Sequence, residues 1–81
     1  EQGNGSSFAL SPNPAFDRLS FIIPQTHGDA LIRDISGKVC LRTPIYAARM
    51  DLDISKLHPG FYLLQVRPEA GDVRTTSFIK Q

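Results

Sequence analysis

Eighty-one residues make one small domain that buries roughly 60–65% of its unfolded surface, enough for a thin core but not for a deep pocket or a second domain. Nine Lys and Arg against eight Asp and Glu give a net charge of +1 with the signs interspersed, which excludes the electrostatic footprint of a nucleic-acid binder. No apolar run approaches the length of a membrane span, and the single cysteine, Cys40, excludes an intrachain disulfide.

Glu1 to Ser7 is rich in Gly, Ser and Asn and holds no apolar side chain, the composition of a flexible linker (residues 1–7) ahead of a folded unit (residues 8–81). The chain opens on Glu rather than Met and shows no signal-peptide pattern, so it reads as a piece of a longer precursor. Processing of that parent is expected around Gly3, Asn4, Gly5 and Ser6, where no side chain shields the backbone. Phe8-Ala9-Leu10 is a short extended piece. Ser11-Pro12-Asn13-Pro14 turns a corner, because each Pro removes an amide donor and restricts the residue before it.

Asp17 to Ile23 alternates, with Leu19, Phe21 and Ile23 on one face and Arg18 and Ser20 on the other, and Pro24 closes it. A loop over Gln25-Thr26-His27-Gly28 leads to a strand through Ala30-Leu31-Ile32-Arg33. Asp34-Ile35-Ser36-Gly37 fits a type I turn, with Asp first to cap amides and Gly fourth to take positive φ. Val39-Cys40-Leu41-Arg42 returns as the second arm of a hairpin, and Cys40 is expected to lie partly buried. Met50, Leu52 and Ile54 alternate with Asp51 and Asp53, a half-buried strand with a charged outer face. Beyond the tight Ser55-to-Gly60 connection, Phe61 to Arg67 is apolar on both faces and is placed centrally in a sheet. Glu69 to Asp72 turns, and Val73 to Lys80 is the last strand, its Thr75, Thr76 and Ser77 supplying β-propensity. Short strands at this spacing, with no 3.6-residue stripe between them, predict an all-β antiparallel Ig-like β-sandwich.

The chain shows no catalytic constellation. His27 and His58 both fall in turns without a nucleophile or carboxylate placed beside them. One Cys and two His at scattered spacing make no zinc pattern, and Asp51 and Asp53 on one strand face lack the turning backbone of a calcium loop. Isolated Gly37, Gly60 and Gly71 do not form a phosphate-cradling loop. The expectation is a non-enzymatic domain without metal or cofactor that folds alone or as a homodimer.

Three segments in this order carry a likeness. Pro12, Asn13 and Pro14 are followed by Leu19, and Asp34, Gly37 and Val39 form a middle motif. Leu57, Gly60, Tyr62, Leu64 and Val66 lead to a terminal Phe78, Ile79 and Lys80. The set resembles the type A C-terminal sorting domain of the type IX secretion system. That resemblance implies a sandwich of about seven strands and a secretion signal that directs a longer parent protein across the outer membrane to surface attachment. It implies the cell surface or outer membrane of a Bacteroidota-type Gram-negative bacterium, reached through the periplasm. The implied partners are translocon and attachment-complex proteins, among them a shuttle barrel and a sortase that cuts the upstream linker.

Arg33 stands where the family usually has an aromatic residue, and Cys40 where an aliphatic one is common. Most motif residues are also what any sandwich places at corners and in central strands, so they are expected to build the fold. The terminal residues, with little core left to fill after Ile79, are expected to lie on an open edge where a partner reads them directly. Loss of Lys80 and Gln81 would then cost less than about 1 kcal/mol. The competing reading is an ancillary binding or spacer module. A sugar-binding role is disfavoured by the absence of Trp and by only two Tyr, Tyr46 and Tyr62, the latter expected in the core.

Overall fold

The computed structural model describes residues 10–12, 15–23, 27–69 and 71–81. The expected linker, with Gly3, Asn4, Gly5 and Ser6, and the motif residues Asn13 and Pro14 lie outside them. Seven strands run in chain order: β1 (Leu10–Ser11), β2 (Arg18–Ile22), β3 (Gly28–Asp34), β4 (Val39–Pro44), β5 (Arg49–Asp53), β6 (Gly60–Pro68) and β7 (Arg74–Lys80). They form a three-stranded sheet, β1-β2-β5, and a four-stranded sheet, β4-β3-β6-β7, every strand pair antiparallel. The sandwich read from the sequence is the fold observed.

Alternation decides which side chains fill the space between the sheets. Leu19, Phe21 and Ile23 from the β2 segment and Met50, Leu52 and Ile54 from the β5 segment line one wall. Ala30 and Ile32 of β3, Tyr62, Leu64 and Val66 of β6, and Phe78 of β7 line the other. In a constant-type immunoglobulin sandwich the fourth strand lies beside the fifth. Here β4 stays beside β3, held by the short turn that joins them.

That turn explains the middle motif. The Asp34 carboxylate accepts hydrogen bonds from the Ser36 N–H (2.9 Å), the Ser36 hydroxyl (2.6 Å) and the Lys38 N–H (3.1 Å). Gly37 donates its N–H to the Asp34 carbonyl at 2.9 Å and sits at φ +90°, a conformation in which a Cβ is strained. The Ser36 hydroxyl foremost, then, against the opposing effect of desolvation, the Lys38 and Ser36 amides and the Lys38 charge, hold the Asp34 carboxyl below its ordinary 3.8. A carboxyl whose pKa is depressed on folding stabilises the fold above its unfolded value, and that contribution disappears as pH falls through the folded value. Stability should therefore decline as pH drops from the ordinary carboxylate range to below it. Asp53, held down first by the Ser55 hydroxyl and then by its amide, contributes in the same window. Asp34→Asn should flatten this acid limb in urea denaturation series at stepped pH, and acid limbs of equal slope would count against the turn's role.

Cys40 corrects the sequence reading, because it is exposed. Ile32 pairs with Leu41, yet Arg33 pairs with Val39, so Cys40 is the extra residue of a β-bulge and has no opposite number on β3. Its inward neighbour Leu41 packs against the core instead. The central placement of β6 holds, with β3 and β7 on its two sides, but among the described residues its outer face is left partly open. Phe61 is 48% exposed there.

Candidate functional site

Antiparallel pairing gathers the separate motifs at one end of the four-stranded sheet. Asp34 at the end of β3 pairs with Tyr62 near the start of β6, and Tyr62 pairs with Phe78 on β7. Two rows on, beyond Phe61 and Ile79, Gly60 pairs with Lys80, and Ala15 bridges Lys80 in parallel from the other side. The middle turn, the Pro59-Gly60 corner, the last strand and the segment after Pro12 therefore meet within three rows. Val66 lies at the far end of β6, beside Ala30 and Arg74, and Leu19 belongs to the opposite sheet. Pro12 is exposed and lines an open, mostly apolar groove of about 340 Å³ with Leu10, Phe21, Ile22 and Arg49. Leu57, half-buried, packs against the core.

Tyr62 is the centre of this end. Its ring stacks on Phe78 with centroids 5.7 Å apart and planes at 22°. Its hydroxyl donates to the His58 carbonyl at 2.6 Å, tying the ring to the corner that precedes its own strand. Desolvation, with the charges of Cys40 and Asp34 adding to it, pushes the phenol above its ordinary value, so it remains a donor. Tyr62 thus gives the core an aromatic body and the turn one polar tip.

The terminal segment departs from the expectation of an open edge. Ala15 donates its N–H to the Ile79 carbonyl at 2.8 Å and accepts the Gln81 N–H at 2.7 Å. Ser11 pairs with Ser20 in one sheet while Ala15, four residues on, bridges β7 in the other, so the chain changes sheets at the Pro-containing corner. Lys80 is only 6% exposed, facing inward beside the core, with its ammonium donating to the Gln81 main-chain oxygen at 2.8 Å. The period of two explains this: Phe78 faces the core, and Lys80, two residues later, must face the same way. Its aliphatic stem closes the end of the sandwich while its charged tip reaches a carbonyl.

Outward-facing residues at this end are a different set. Phe61 and Ile79 face each other across β6 and β7, each 48% exposed, and Val39 is 39% exposed in the row that continues through Arg33 to Leu63. Of the motif residues, Val39 and Ile79 supply exposed apolar surface. Phe61 and Leu63 were not singled out from the sequence. The signal was there in a strand apolar on both faces, but it reads equally as burial on both.

The sequence profile described as "Secretion system C-terminal sorting domain" matches residues 9–81. The chain belongs to this family of type IX secretion sorting domains. No curated protein and no solved structure matches the chain significantly. The sorting domain's match begins ahead of β1 and runs through β7, so it covers both sheets and the whole convergent end. Membership makes this a non-catalytic signal for export across the outer membrane. Several of its exposed polar side chains pair with one another. Asp51 bonds the Ser20 hydroxyl and pairs with Arg49 at 3.7 Å, and Asp29 pairs with Arg42 at 3.1 Å. Both ion pairs are solvent-exposed and contribute little to stability.

Proposed function

We propose that this sorting domain carries a longer parent protein through the periplasm to a type IX translocon and on to the cell surface of a Bacteroidota-type bacterium. A shuttle barrel and a sortase of the attachment complex would be its partners, and the sortase would cut upstream of the sandwich, near Gly3 to Ser6. The observation that carries this reading is the family match across residues 9–81, taken with the meeting of the ordered motifs at one end of one sheet. A machine that reads a folded signal needs one rigid surface made from several chain segments, and this end is such a surface. The inward motif residues Tyr62, Phe78 and Lys80 would shape it, and the outward ones, Val39 and Ile79, would present it.

The test is to fuse the 81-residue chain to the C-terminus of a fluorescent reporter in a type IX-competent strain and in a matched translocon-null strain. The reporter should reach the surface or medium only in the competent strain. Retention in the periplasm of both, with the domain folded, would overturn the reading and favour an ancillary spacer.

A further inference from the structure

The two edges of the four-stranded sheet are not equally defended. On β4 the outer edge carries the bulge at Cys40, the Arg42–Asp29 ion pair and Pro44, which has no N–H. Bulges, charges and proline are the devices that stop a strand edge from pairing with another chain. On β7 the pattern differs. The Ile79 carbonyl points away from β6, toward Ala15, so by the two-residue period the backbone groups of Thr75 and Ser77 point the same way. Among the described residues nothing pairs with them, since the Ala15 bridge closes the edge only at Ile79 to Gln81. The open stretch carries small hydroxylated side chains, no proline and no bulge, and it adjoins the Phe61–Ile79 pair on the outer face.

We infer that the Thr75–Ser77 edge of β7 is a docking site for an extended strand of a protein partner, whose apolar side chains pack on Phe61 and Ile79. The occupant is an extended backbone because the open groups are strand N–H and C=O groups at sheet spacing, which another strand satisfies in register. Its side chains toward the outer face are apolar because the neighbouring row is apolar and half-exposed. The inward Arg74 and the Ala15 bridge bound the site at its two ends and keep it to a few residues. This rests on the sorting reading, in which the partner belongs to the secretion machinery, and places its recognition upstream of the last residues.

The experiment uses the reporter fusion in type IX-competent cells. Ser77→Pro removes an N–H that the sheet does not use, so it should leave the fold intact on an edge strand. Phe61→Lys combined with Ile79→Lys changes the apolar row without touching the backbone. Each should lower surface delivery at least tenfold while the purified domain melts cooperatively. If Ser77→Pro fails to fold, the Lys pair decides alone. Wild-type delivery with a folded variant would overturn the docking site while leaving the sorting reading in place. No delivery of the wild-type fusion would instead remove the sorting reading and the site with it. A wild-type dimer in sedimentation that Ser77→Pro dissolves would also overturn the proposal, assigning the edge to a second copy.

Discussion

Tyr62→Ala should unfold this domain or bring it close to unfolding, at a cost of about 3–5 kcal/mol. The ring is 7% exposed and stacked on Phe78, so truncation leaves a void between β6, β7 and the opposite sheet. It also frees the His58 carbonyl from its bond to the hydroxyl. A chain of this size holds on the order of 4–12 kcal/mol in total, so the loss is a large share of it. Tyr62→Phe separates the two effects. It keeps the packing and deletes the bond to His58, which should cost about 1 kcal/mol. Urea denaturation of the three purified domains gives the stabilities, and reporter delivery gives the function. Delivery should follow stability, with Phe near wild type and Ala lost. A folded Tyr62→Ala domain that is not delivered would show instead that the machinery reads the ring itself.

Removing Lys80 and Gln81 should cost about 2–3 kcal/mol, the sum of the main-chain bonds lost at roughly 1 kcal/mol each. Lys80 exchanges strand bonds with Gly60, and the Gln81 N–H reaches Ala15. Both anchors of the segment that crosses between the sheets would weaken, and the inner face of Tyr62 and Phe78 would lose its cover. This is the reverse of the sequence-based expectation of a nearly silent truncation. Lys80→Met tests what the charge adds, because it keeps the backbone and most of the stem. It should melt within about 1 kcal/mol of wild type, as for a change that leaves the packing in place, and should be delivered normally, since the ammonium is turned inward. Thermal melts beside delivery assays decide the matter. Normal stability after the truncation would mean that the Ala15 clasp contributes nothing. Failed delivery of a stable Lys80→Met domain would mean that the machinery reads the ammonium directly.

Both results bear on how a folded export signal works. If the late motif and the terminus act mainly by holding one end of the sheet together, their presence in the ordered set reports on shape. Recognition then falls to what that shape displays, the half-exposed Phe61, Ile79 and Val39.

Local sequence alone determined the strands and their corners. Alternation at Leu19-Phe21-Ile23 and at Met50-Leu52-Ile54 named the inward faces, because a strand's side-chain period of two does not depend on its neighbours. Asp34 and Gly37 named a turn for the same reason, since their hydrogen bonds close within five residues. What lay beyond reach was everything set by partners distant in the chain. The choice of β3 rather than β5 as neighbour of β4, and the bulge at the exposed Cys40, come from how strands pair, which alternation within a single strand does not specify. Gly28 is of this kind too: a Cβ there would come within 2.3 Å of the Arg67 carbonyl oxygen, a close approach created only when β3 meets β6. The burial of Lys80 and the closing of the terminus by Ala15 join residues from opposite ends of the chain. A charged residue at the end of a sequence reads as solvent-exposed until the fold puts a strand on one side of it, a bridge on the other and a core beneath.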